Sequence, residues 1–506
     1  MLGFVSLGIF AIRGYRVKPW LPNYVKWKTS NKLMSRSVSS LTHVMFLFVD
    51  HFEPWEDTDD PRIAKSRMDS WVNNYPQMAS KHRDANGFMP RHTWFYLVED
   101  WQWKAHDEAF LRQLGALSYD GYGEVELHVH HGAPQRVFPD VDSPDKLHAL
   151  IEEMKRFFSQ TGALITAEEV PRQPYGFIHG KWALDNAMDG MYCGVDNEIE
   201  ILQKTGCYAD FTMPSGIQSQ SRKINSLYYP TGDPLRPKSF DWGIDVKAGA
   251  LNNGRLMIFS GMIDIYFRNF FGGGSIVEKS NLDHNDVPTE RRIDTWIKSN
   301  IHVEDRPQWI FVKVHTHGAR EQDFDVSFGE LADRMHSYLE EKYNDGKRYK
   351  LHYVTAREAY NIVKAAEAEE NGDPSLFRDY LIKPHANTKI KSCGPYRLSA
   401  YRQNNFKIEP LGRRKKADFV FKESLLRRVE GISLNFFEYL ACEESRSITV
   451  NLRGDGKVAL EILMPEVKNR NGIDVTNAKI CDKKEQLLRL ETKLDLNEEK
   501  TVNIRY

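Results

Sequence analysis

Seven of the 17 histidines in this chain sit where short apolar runs give way to polar residues. The first run, Val44–Val49, ends in Asp50, His51, Phe52 and Glu53, and the second, Thr93–Val98, ends in Glu99, Asp100 and Trp101. The third, Val125–Val129, contains His128 and leads into His130, His131 and Gly132. The fourth, Tyr175–Ile178, ends in His179, Gly180, Lys181 and Trp182, and the fifth, Tyr208–Thr212, contains Asp210. The sixth, Arg255–Phe259, ends in Ser260 and Gly261, and the seventh, Trp309–Val314, ends in His315, Thr316, His317 and Gly318. Neutral imidazoles and carboxylates are the ligands that suit zinc, and also iron, nickel or cobalt. A lone histidine at a strand end is ordinarily a hydrogen-bonded structural residue, and a lone Asp50 would serve as a helix cap. A carboxylate and five to seven imidazoles on one rim have few purely structural explanations, so the pattern predicts a divalent transition-metal site, zinc first. His130 and His131 are adjacent and point to opposite faces of a strand; alternation puts His130 on the His128 face unless the strand has already ended.

The elements that must carry these residues follow a rhythm. An eighth run spans Leu351–Thr355, and amphipathic stretches fill the gaps between runs: Asp107–Leu117, Ser143–Ser159, Asp196–Leu202, Thr289–Ser299, Phe328–Tyr343 and Ala356–Ala368. Ser143 followed by Pro144 is a helix start with proline in the first turn. Strands alternating with helices predict a parallel sheet with crossover helices, and seven or eight units suit a (β/α) barrel, whose active site lies at the C-terminal strand ends. The rhythm stops near Pro384. From Tyr396 onward period-two alternation and turn signals such as Arg453-Gly-Asp-Gly456 predict an antiparallel, β-rich, sandwich-like accessory domain. The expected organisation is an N-terminal extension over residues 1–40, a barrel over 41–384 and the β-rich domain over 385–506.

Composition narrows the partners. Lys and Arg number 69 against 70 Asp and Glu, so the net charge of -1 offers no field for a polyanion, and nucleic acid is not expected. Five cysteines with no CxxC spacing argue against a disulfide framework and against a thiolate zinc site. The apolar stretch Leu2–Ile12 is shorter than the ~20 residues that span a bilayer and lacks the flanks of a secretory signal. With Trp20 and Trp27 behind it, this stretch reads as a peripheral membrane contact or as a short element docked on the domain. The compartment expected on these grounds is the cytoplasm.

The barrel portion, roughly residues 41–370, resembles the polysaccharide deacetylase family of carbohydrate esterases, through an atypical bacterial branch. In that family the first strand ends TFDD, the first Asp being the catalytic base and the second a metal ligand; here Asp50 matches the base and His51 stands in the second position. The family's H-(S/T)-x-x-H motif supplies two metal histidines. Here Glu126-Leu-His128-Val-His130-His131 resembles it, with Gly132 at the position of the second histidine, so His128 pairs with His130 or His131. Arg172-Gln-Pro-Tyr175-Gly176 resembles the RxPYG motif, and His315 or His317 matches the general acid.

The resemblance implies a zinc-dependent hydrolase that removes acetyl groups from an amino sugar or acetylated polysaccharide of the bacterial envelope. The metal would polarise the acyl carbonyl and activate water, Asp50 would take the water proton, and His315 or His317 would protonate the leaving amine. Trp101, Tyr175, His179, Trp182 and Asp210 are the candidates for binding the carbohydrate. A barrel of this kind also suits a glycoside hydrolase, with Glu53 or Asp50 about 5–9 Å from Asp210 or Asp100. A third reading, favoured by His51, is a carbohydrate-binding protein without turnover. The loop Phe270–Ser275 lacks the Lys-Ser/Thr of a phosphate-binding loop and reads as a rim loop.

Overall fold

The computed structural model describes residues 18–34, 41–98, 104–165, 170, 172–266 and 276–385, together with most of 388–505. The chain divides into two units, Met1–Ala386 and Asn387–Tyr506.

In the first unit each of the eight apolar runs forms a strand of one sheet. They are β1 (Thr42–Phe52), β2 (His92–Leu97), β3 (Gly123–Val129), β4 (Tyr175–His179), β5 (Cys207–Asp210), β8 (Met257–Phe259), β11 (Trp309–Thr316) and β12 (Tyr349–Val354). The hairpin strands β6 (Leu227–Pro230) and β7 (Gly243–Asp245) complete the ten. The order is β11-β1-β2-β3-β4-β5-β8-β6-β7, with β12 also on β1. β11 pairs along one edge of β1; the other edge is shared, β12 on Thr42–Leu47 and β2 on Phe48–Phe52.

The sheet is a curled half-barrel, and among the described residues its strand pairing does not complete the closed barrel expected from the rhythm. The physical reason lies at β8. It has three residues, and its free edge is taken by β6 in antiparallel pairing, with Leu227 opposite Phe259. A side chain crosses part of this seam: Lys313 of β11, 2% exposed, donates to the carbonyls of Phe211 and Met213 just beyond β5, both at 2.5 Å.

Helices α2 (Pro61–Ala79), α3 (Lys104–Tyr119), α4 (Pro144–Thr161), α5 (Glu198–Thr205), α6 (Glu290–Lys298), α8 (Glu330–Tyr343) and α9 (Ala356–Glu367) follow the strands, with the single turn α7 (Phe324–Ser327) before α8. Their starts are chemically specified. Asp60 caps α2 through Arg62 N, Thr289 caps α6 through Arg292 N, and Thr355 and Glu358 form a capping box on α9. Ahead of them α1 (Leu21–Met34) docks by burying Trp20 and Tyr24 against Ile224, Ile263 and Val277, while Tyr24 donates to Asp264 at 2.7 Å. Trp20 therefore faces protein. Residues 1–17 lie outside the described residues. Among the described residues no helix is long and apolar enough to cross a membrane.

The second unit is one antiparallel sheet of nine strands, dominated by the long β17 (Leu426–Cys442), β18 (Ser447–Leu463) and β21 (Leu487–Arg505). The Arg453-Gly-Asp-Gly456 stretch, expected as a turn, lies inside β18, where the pairing with β21 shifts register between Gly454 and Gly456. Glycines there allow a bulge that bends the strand without ending it.

Lys313→Met removes the donor to two buried carbonyls. Each unpaired group costs roughly 1–3 kcal/mol, so urea denaturation of the variant should show the first unit about 2–4 kcal/mol less stable.

Candidate metal centre

β1 runs on to Phe52, so alternation divides its last residues between two faces. Asp50 and Phe52 turn toward α2: Phe52 packs edge-on against Trp71 at 5.3 Å. Asp50 is fully buried, within hydrogen-bond distance of His92 Nε2 at 2.9 Å, and accepts from the Gly318 N–H at 2.7 Å. Burial pushes its carboxyl pKa up, against the opposing pull of His92. Asp50 thus pins the end of β11 to β1 and β2. Its two oxygens are each engaged by a buried partner.

His51 and Glu53 take the other face. Glu53 Oε1 lies 2.9 Å from His128 Nε2 and 3.0 Å from His130 Nε2, and the two imidazole nitrogens are 3.1 Å apart. His128 Nδ1 is 2.9 Å from the Ile178 carbonyl. The carbonyl accepts from Nδ1, so Nε2 is the nitrogen turned to the cluster. The donor set of two imidazoles and one carboxylate fits a divalent transition metal such as zinc, and three protein ligands leave a position for water or substrate. Burial holds His130 below its usual pKa, which keeps the imidazole neutral as a ligand must be. Glu53 is held well below the usual carboxylate range although burial opposes this, because His128 and His130 bond to it.

The loop that carries Glu53 is fastened on both sides. Arg67 donates to the carbonyls of Pro54 at 3.0 Å and Glu56 at 2.7 Å, and the Trp55 indole donates to Asp107 at 2.9 Å. Glu56 is partly exposed, 3.5 Å from Arg320, and burial together with the Glu53 charge pushes its carboxyl up to about 7. Above the cluster the His51 ring meets His128 edge-on at 4.9 Å and stacks on His317 at 4.7 Å. Trp182 lies 5.9 Å from His51 and 6.2 Å from His317, with Lys279 over its ring. Burial lowers His315 well below its usual pKa and His317 to about 4. Both are neutral near pH 7, which suits taking up a proton rather than giving one.

The remaining candidates separate. His131 turns away from His130, toward His179, Cys193 and Glu198. Gly132 follows with φ +76, and a side chain there would press on Asp142 and Cys193, so no ligand histidine fits that position. His179 belongs to that second group. Tyr175 is fully buried with its hydroxyl 2.6 Å from Thr205, and Asp210 is fully buried and accepts from the Thr212 hydroxyl at 2.6 Å. Trp101 and the Phe270–Ser275 loop lie outside the described residues. A third histidine pair, His43 and His352 at 2.9 Å, is explained without a cation, since His352 Nδ1 donates to Asn86 and its Nε2 accepts from His43.

No protein-family model matches this chain, and no curated protein matches it.

Glu53, Cys193 and Glu198 were not singled out as ligands from sequence. For Glu53 the signal was present: two residues after His51, it shares that face wherever the strand continues. Cys193 and Glu198 carry no spacing signal, because they reach their partners through the long segment between β4 and α5.

Gly180 is also required by the centre, since a Cβ there would fall inside the His130 ring. Gly180→Ala should displace that ring and weaken metal binding by about 10–100-fold, with the circular dichroism spectrum unchanged; equilibrium dialysis measures it.

Proposed function

We propose that the protein is a metal-dependent hydrolase acting on an acyl group of a carbohydrate, an acetylated amino sugar or polysaccharide being the substrate class. The observation that carries the reading is the convergence of Glu53, His128 and His130 to within 2.9–3.1 Å of one another at the strand ends. Glu53, His128 and His130 would hold the ion. A metal held there would polarise the acyl carbonyl and acidify water.

The other steps belong to the chain's own residues. His317 is partly exposed and held by stacking on His51, and Glu56 sits beside Glu53 at the same mouth. These two are the groups placed to move protons to and from the reacting centre. Trp182, partly exposed, offers a face on which a sugar ring stacks. The acetyl-carbohydrate part of the reading rests on the resemblance of the β1 and β3 motifs to polysaccharide deacetylases, and the hydrolase part on the donor set. Paired-carboxylate glycoside hydrolysis finds less support, because Asp50 and Asp210 are both fully buried.

The test combines elemental analysis with acetate release from acetylated amino-sugar oligomers. His128→Ala should lose a metal equivalent and all activity. Glu56→Gln and His317→Ala should keep the metal and lose about 10²-fold or more in kcat. Activity that survives metal removal would overturn the reading. Acetate release absent from a fully metallated enzyme would leave the metal centre standing and remove the acetyl substrate.

A further inference from the structure

Behind the proposed catalytic centre lies a second convergence. His131 Nε2 is 3.1 Å from His179 Nε2 and 3.1 Å from Glu198 Oε1, and His179 Nε2 is 3.5 Å from the same oxygen. Cys193 Sγ lies 3.5 Å from the other oxygen, Glu198 Oε2. All four side chains are buried, His131, His179, Cys193 and Glu198 each being 0% exposed.

The orientation of the rings is the decisive feature. His131 Nδ1 is 2.9 Å from the Val141 carbonyl and His179 Nδ1 is 2.6 Å from the Gly180 carbonyl. Each carbonyl accepts from its imidazole's Nδ1, so both rings turn Nε2 toward each other and toward the Glu198 carboxylate. Two imidazole nitrogens and a carboxylate thus meet in one buried space. A divalent cation would satisfy all of them together with the sulfur.

We infer that His131, His179, Cys193 and Glu198 form a second metal site, structural in kind and suited to zinc. Tetrahedral zinc with nitrogen and sulfur ligands needs ligand atoms roughly 3.3–3.8 Å apart, and one ligand atom from each of these four side chains lies within 4.8 Å of all the others. Four protein ligands with no exposed side leave no position for substrate, in contrast to the three ligands of the first centre. The ligands come from the loop after β3, the end of β4, the β4–α5 segment and the first residue of α5, so an ion would join stretches that share few ladder bonds. Glu198 is further tied down by the Asp185 N–H at 2.6 Å.

The test uses the full chain loaded with cobalt(II), whose bond to a thiolate gives a near-ultraviolet charge-transfer band. The first centre contains no sulfur, so the band reports the second alone. Wild type and His128→Ala should both show it, with two and one metal equivalents respectively, and Cys193→Ser should lack it while the first centre keeps its metal. In wild type, alkylation of Cys193, read by peptide mass spectrometry, should be suppressed by bound metal and released by a chelator. A metallated wild type without the band, or Cys193 alkylated equally with and without metal, would overturn the second site whatever the fate of the first. The alkylation measurement decides the matter even if the variants fail to fold.

Discussion

Three backbone carbonyls, those of Ile178, Val141 and Gly180, determine the chemistry at this end of the sheet by accepting the Nδ1 protons of His128, His131 and His179. An imidazole held in this way has one tautomer and one orientation, and its remaining nitrogen is a lone pair aimed at a fixed point. The Ile178 and Gly180 carbonyls lie at the end of β4, and the Val141 carbonyl comes from the loop between β3 and α4. Strand ends supply the histidines, and strand end and loop together supply the acceptors that orient them. At either cluster the atoms that could hold a cation lie within 4.8 Å of one another.

The two faces of β1 illustrate how the rest is held. Outward, Asp50, His92 and the Gly318 N–H form a sealed polar contact among Trp71 and Tyr75, which locks three strand ends together. Inward, His51 and Glu53 share the mouth with His128 and His317. One carboxylate is enclosed by its hydrogen-bonding surroundings, and on the other imidazoles converge. Residue type alone does not separate these roles.

Much of this was legible in the sequence, and the limits have physical causes. The eight strands were marked by apolar runs, and one helix start by the proline after Ser143. Closure of the sheet was not marked, because it depends on which edge β6 takes, a long-range choice that leaves no local trace. Asp50 stood out through its resemblance to a motif, yet alternation from His51 points to Glu53 as the inward carboxylate. Cys193 was set aside for want of a CxxC partner, although a site assembled from four separate segments needs no such spacing. The glycines of Arg453-Gly-Asp-Gly456 give the same local signal for a turn and for a bulge, and only the partner strand decides between them.

His130 and His131 are joined by one peptide bond and serve different clusters. Substitution can tune either cluster separately, since each side chain faces its own set of partners. A change of length cannot. Inserting or deleting a residue between His128 and His131 would rotate the following side chains to the opposite side and present each cluster with the wrong neighbour. Descendants of this chain can therefore vary the mouth by exchanging side chains, while the spacing of His128-Val-His-His131 is fixed for as long as both clusters are in use.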